Sequence, residues 1–128
     1  MGTYSGAPGA KVMFPEEAWR TDTQHLATDA KALAEATRHR LEAFGLHAAD
    51  RKPCDAESAD GTALPGCFKT YLGPKQKGHD SGAWGMVFQV AIQDGQPVLV
   101  YLAFGLRHPA PLTRPSVYQL AHRRLHGR

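Results

Sequence analysis

"WGMVFQVAIQDGQPVLVYLAF", Trp84 to Phe104, decides how the chain is built. Two apolar runs flank Asp94-Gly95, and an Asp-Gly pair between such runs is a strong short-range signal for a tight hairpin. Trp84–Ile92 reads as one strand and Val98–Phe104 as its partner. The second run is apolar almost without interruption, which places it at the centre of a sheet.

Outward from the hairpin, "CFKTYL" (Cys67–Leu72) alternates. Period two puts Phe68, Thr70 and Leu72 on one face and Lys69 and Tyr71 on the other. "GPKQKGHDSG" (73–82) reads as a flexible connection, and 46–66 as a long polar loop. Before that loop, Leu26, Ala30, Leu33, Thr37, Leu41 and Phe44 recur at three or four residues and form a helical apolar stripe. Lys31, Glu35, Arg38, His39 and Glu42 occupy the opposite side. The helical stretch starts at Pro15, where a missing N–H costs nothing. Glu16 and Glu17 follow at the positive helix end. A break is expected near Thr28–Asp29, and Gly45 is a natural stop. "AKVMF" (Ala10–Phe14) reads as a first strand and 1–9 as a loose leader. After Pro109, Pro111 and Pro115, "SVYQLAHRRL" (Ser116–Leu125) reads as a terminal helix, N-capped by Ser116 and docked through Val117, Leu120, Ala121 and Leu125.

The order is β-α-α-β-β-β-α. One α+β domain over 1–128 is expected: a small antiparallel sheet, an N-terminal helical hairpin packed on it, a short C-terminal helix, and all helices on one side. The 42% hydrophobic and 21% charged content suits a globular chain and excludes a disordered one. No apolar run spans a membrane, and "MGTYSGAPGAKVMF" lacks the apolar core of a signal peptide, so a cytoplasmic protein is expected. Cys54 and Cys67 read as thiols in a reducing compartment, with a bridge across their loop left open. Two cysteines and scattered histidines lack the spacing of a structural zinc site, so neither metal nor cofactor is expected.

Charge is unevenly spread. Residues 1–66 carry seven Lys/Arg against ten Asp/Glu, whereas 67–128 carry eight against two, with no acid after Asp94. A basic half of this kind fits a polyanion or an acidic protein partner. The closing stretch "RPSVYQLAHRRLHGR" (Arg114–Arg128) concentrates the effect.

Four fragments carry a resemblance. "KVMFPEEAWRTDTQHL", "LPGCFKTYL", "WGMVFQVAIQDGQPVLVYLAFGLRHP" and "SVYQLAHRRL", in this order and spacing, resemble the opening strand and helix, second strand, hairpin and closing segment of the RelE/ParE superfamily of bacterial toxin–antitoxin toxins. The likeness covers roughly residues 10–125 apart from the loops, which are longer than usual for the family. It implies a compact toxin neutralised by a cognate antitoxin. RelE-like members cleave mRNA, usually on the ribosome, and ParE-like members inhibit DNA gyrase without catalysis. A homologue without catalysis, kept as a protein-interaction module, is a third reading.

Metal-independent RNA cleavage uses the ribose 2′-OH as nucleophile. It needs a base for that proton, a cation for the crowded phosphate and an acid for the leaving oxygen. The resemblance assigns these tasks to Lys69, Arg107 and Tyr118 as catalytic residues. Arg107 is the phosphate clamp, because guanidinium offers a bidentate fork. Tyr71, His108, Arg114, Arg123 and Arg124 are the substrate- and RNA-binding candidates. Gly85 departs from the pattern: it stands where RelE-like nucleases carry an arginine, and this favours the ParE-like reading. His79, His108 or His122 could substitute for it. Plain readings stand beside these. Lys69 is then an exposed strand lysine, Tyr71 half-buried packing, Tyr118 the pin of the last helix, and His108 a loop residue. His122 and His126, four apart, could share a metal or simply belong to a solvated basic face. Trp84 and Phe88 belong to the core or to a groove for an antitoxin segment.

Overall fold

Asp94 and Gly95 both adopt positive φ, 53° and 76°, as a type I′ hairpin turn requires. They join β4 (Gly82–Gln93) to β5 (Gln96–Leu106). The structure is a computed structural model that describes residues 12–44, 52–53, 64, 66–75, 82–109 and 115–127. Its remaining elements are β1 (Val12–Met13), α1 (Glu16–Thr23), α2 (Thr28–Phe44), β2 (Lys52–Pro53), β3 (Cys67–Lys75) and α3 (Val117–Leu125).

The class is α+β. The sheet has the order β1-β5-β4-β3-β2, so β5 and β4 are interior, as the apolar run predicts. It is mixed rather than antiparallel, because β1 pairs with β5 in parallel, Val12 opposite Leu99 and Met13 opposite Val100. The other pairings are antiparallel. Lys52 and Pro53, expected in a loop, pair with Lys69 and Phe68. Both β3 and β4 run further than expected, into the connection read over 73–82. Gly73–Lys75 continue β3 and Gly82–Ala83 begin β4, with Lys75 opposite Gly82. A Cβ on Gly82 would lie 2.3 Å from the Leu72 carbonyl oxygen, so only glycine fits this close approach. The leader 1–9, Cys54, His79, Arg114 and most of 46–66 lie outside the described residues, as does the pairing of Cys54 with Cys67.

The helices do not share one side. The first face of the sheet is covered by α1 and α2, and its core joins Phe14, Trp19, Ala34 and Leu41 to Leu72, Met86, Phe88, Leu99, Tyr101 and Phe104. Phe14, Trp19 and Tyr101 form an aromatic triad with ring centroids 5.3 Å apart. Trp84 stacks on Phe104 at 5.1 Å. The second face is covered in part by α3, which packs Val117 and Ala121 against Val87, Leu102 and Ala103. An amphipathic helix after a loop can dock on either face, and period two supplies apolar side chains to both here. A bulge enlarges the second patch. Val87 is opposite Ala103 and Phe88 opposite Tyr101, so Leu102 is the extra residue, and it joins Ala103 under α3.

Helix boundaries follow from local chemistry. Ser116 caps α3 in a capping box with Gln119: its hydroxyl accepts from the Gln119 N–H at 3.2 Å, and Gln119 Oε1 accepts from the Ser116 N–H at 2.9 Å. The break between α1 and α2 falls at Gln24–Ala27, just before the expected position. Thr23 and Thr37 are buried, yet their hydroxyls donate to the carbonyls of Trp19 and Leu33, four residues back. Leu33, Thr37 and Leu41 of the expected stripe face the core from α2, with Ala34 added, and Leu26 packs against it from the break before α2. Arg38 leaves the expected solvent face. Its guanidinium lies 4.7 Å from the Phe14 ring centroid and is paired with Glu16 and Glu42.

Candidate functional site

The second face of the sheet is only partly covered. Because α3 packs on β4 and β5, the outward residues of β3 at its margin stay half-exposed. Strand alternation puts Lys69 and Tyr71 there, opposite Val87 and Gly85. Arg107 follows β5 and extends its pairing, donating its backbone N–H to the Ala83 carbonyl at 2.9 Å. From this position the Arg107 side chain crosses β4 and reaches β3. Its guanidinium carbon sits 3.7 Å from the Tyr71 ring centroid. Tyr118, in the first turn of α3, reaches the same point, and its hydroxyl accepts from Arg107 Nε at 2.9 Å. Arg107 Nη1 donates to the Gly82 carbonyl at 2.9 Å. Lys69 Nζ lies 5.6 Å from the Tyr71 ring centroid and 5.2 Å from that of Tyr118.

Lys69, Tyr71, Arg107 and Tyr118 thus meet on one surface, from β3, the end of β5 and α3. Arg107 is held by a ring, a hydroxyl and a carbonyl, which fixes the planar fork before any ligand arrives. These bonds leave its Nη2 without a partner among the described residues.

The two phenols experience opposite fields. Burial raises Tyr71, but hydrogen bonding and charge from Lys69, then the charge of Arg107 and a hydrogen bond with Tyr118, outweigh it. Its hydroxyl therefore ionises below the ordinary tyrosine value. Burial dominates at Tyr118 and holds it above that value, although Arg107 and Lys69 act to lower it. Neighbouring acids driven apart in this way suit one group to accept a proton and the other to supply one.

Of the remaining candidates, Arg123 and Arg124 point elsewhere, and Arg114 and His79 lie outside the described residues. His108 is exposed beside Arg107, and Arg123 is exposed on α3. His122 and His126 approach each other at 4.4 Å between ring centroids, and no group of three metal-ligating side chains occurs among the described residues. Arg124 turns to the edge of β5. Its Nη1 and Nη2 each donate to Asp22 at 2.7 Å, and Nη1 also donates to the Leu102 carbonyl at 2.7 Å. Asp22, with its side chain 2% exposed, accepts further from the Tyr101 hydroxyl and from the Phe104 N–H. Burial and then Asp22 push Tyr101 far up, which keeps it a donor. This clip ties α1 to α3 across the sheet edge and occupies two backbone groups there. A sequence signal existed: Asp22 lies between Trp19 and Thr23 on the buried side of α1, and a buried carboxylate requires a cation.

Two grooves lie away from the cluster. One, of about 500 Å³, runs between α1 and the β5 edge beside Arg124, and the other, of about 380 Å³, is lined by Trp19, Glu35, Arg38, His39 and Glu42. No helix among the described residues is long and apolar enough to cross a membrane. Set against family models, curated proteins and solved structures, the chain matches none of them.

Proposed function

We propose that the protein is a RelE/ParE-type toxin acting as a metal-independent endoribonuclease on mRNA, with the ribosome as its working partner and a cognate antitoxin as its inhibitor. One observation carries this reading: Lys69, Arg107 and Tyr118, chosen from sequence, meet on one open surface with Tyr71 among them. The sheet order and the two α-helices before β3 are compatible with a RelE-like topology.

In this reading Arg107 and Lys69 hold the scissile phosphate and offset the charge gathering on its oxygens. Tyr71, the more acidic phenol, takes the proton from the 2′-hydroxyl. The 2′-oxygen bonds to phosphorus, the bond from phosphorus to the 5′-oxygen breaks, and Tyr118 gives that oxygen its proton. The products are a 2′,3′-cyclic phosphate and a 5′-hydroxyl, and no oxidant or metal is consumed. Arg123 and the other cations of the basic half draw RNA in without reading its sequence.

Gly85 favours a second reading, a ParE-like inhibitor of DNA gyrase, because the arginine expected there for ribosome-dependent cleavage is absent. Induced expression of wild type and Arg107→Ala in a bacterial host, with growth and mRNA integrity followed together, separates the two. Arrest with mRNA cleavage, both lost in the variant, supports the nuclease. Arrest with intact mRNA and inhibited supercoiling supports the gyrase reading.

A further inference from the structure

We infer that Gly85 is a positioning residue for Arg107: its bare backbone is the surface over which the arginine crosses β4. Gly85 pairs with Tyr71 on one side and with Gly105 on the other. Arg107 must therefore pass above it to go from the end of β5 to the Tyr71 ring, two strand spacings or about 10 Å away. A Cβ at position 85 would lie 3.2 Å from Arg107 Cγ and 3.8 Å from Cδ, and 3.1 Å from Val117 Cγ1. The arginine stem and the first residue of α3 both lie closer to this Cβ than ordinary contact, so both must give for a side chain to fit. No turn asks for glycine here, since Gly85 lies within a strand and is absent from the residues with positive φ. Its lack of a side chain is explained by what lies on top of it.

Gly105 supplies the comparison. It lies on the same face, directly opposite Gly85, but a Cβ there meets only Val117, at 3.7 and 3.8 Å, which is ordinary contact. Of these two paired glycines, only Gly85 underlies Arg107. In this chain a side chain at 85 would press on the stem by which Arg107 reaches Tyr71 and Tyr118, and Arg107 or Val117 would have to give way.

The test uses Gly85→Ala, Gly85→Val and Gly105→Ala in the full-length protein. The first readout is NMR: the Arg107 Nε–H resonance reports the bond to Tyr118, and ¹³Cζ-labelled tyrosine reports ionisation of Tyr71. Gly85→Val is expected to shift the Arg107 resonance and to raise Tyr71 toward the ordinary tyrosine value, as Arg107 leaves its ring. Gly85→Ala should do the same to a smaller degree, and it keeps the test decisive if the valine variant fails to fold. Gly105→Ala should leave both signals in place. The kinetic arm rests on the nuclease reading: RNA cleavage by the Gly85 variants should fall roughly 10–100-fold, and by Gly105→Ala should not. Unchanged Arg107 and Tyr71 signals in both Gly85 variants would overturn the inference, as would equal shifts in Gly105→Ala. A wild-type protein that leaves RNA intact would remove the nuclease reading, and the NMR arm would still decide the role of Gly85.

Discussion

Removing Asp22 should destabilise the protein far more than an ordinary surface change. The Asp22 side chain is 2% exposed and that of Arg124 20%. Four donors converge on this one carboxylate: two from Arg124, the Tyr101 hydroxyl and the Phe104 N–H. In Asp22→Ala the guanidinium keeps the Leu102 carbonyl but loses both carboxylate bonds, and the phenol and the amide lose this acceptor. Breaking a buried pair by deleting one partner costs about 3–5 kcal/mol. At about 4 °C per kcal/mol for a chain of this size, Tm should drop by about 12–20 °C. The assay is urea and thermal unfolding of wild type, Asp22→Ala, Arg124→Met and the double variant, arranged as a double-mutant cycle. The double variant should be more stable than Asp22→Ala alone, because the stranded charge has gone. A loss below about 1 kcal/mol in Asp22→Ala would mean that the pair behaves like an exposed one. Strict additivity in the cycle would mean that the two groups do not depend on each other. Either result would refute the clip.

Three further outcomes are expected. Tyr118→Phe should keep the packing of α3, change stability by about 1 kcal/mol, and lower RNA cleavage about 10²–10⁴-fold through loss of the acid, measured with a labelled mRNA. Cleavage should rise with pH below the ordinary tyrosine value, because Tyr71 must lose its proton and is held low by Lys69 and Arg107 against its burial. Lys69→Gln should move this rise to higher pH, and a pH–rate profile that stays in place would count against Tyr71 as base. Ser116→Ala should remove half of the capping box and cost about 1 kcal/mol in chemical denaturation.

The hairpin was legible because Asp94-Gly95 has few conformational alternatives and an apolar run stands on either side of it. Lys69 and Tyr71 were legible as partners because period two fixes their common face without knowledge of the neighbours. Arg107 and Tyr118 were singled out by resemblance, but their contact was not readable, since it depends on where α3 docks. The bulge at Leu102 enlarges the patch under α3, and the almost continuous apolar run of β5 hides this slip in alternation. The parallel pairing of β1 and the short β2 rest on long-range ladder bonds that two-residue segments do not signal. Arg124 was legible as a cation but not as the partner of Asp22. A basic terminal helix suggests solvated cations, and only the depth of Asp22 in α1 makes one of them an internal partner. Gly85 looked like a loss in one dimension, and in three it is the ground on which Arg107 lies.

In the proposed reading the cluster around Arg107 cleaves RNA. The most direct measurement incubates purified wild type and Arg107→Ala with programmed ribosomes carrying a 5′-labelled mRNA, then identifies the ends formed. Wild type should leave a 2′,3′-cyclic phosphate and a 5′-hydroxyl, and the variant should not cleave. Intact mRNA with wild type, or equal cleavage by both proteins, would contradict it.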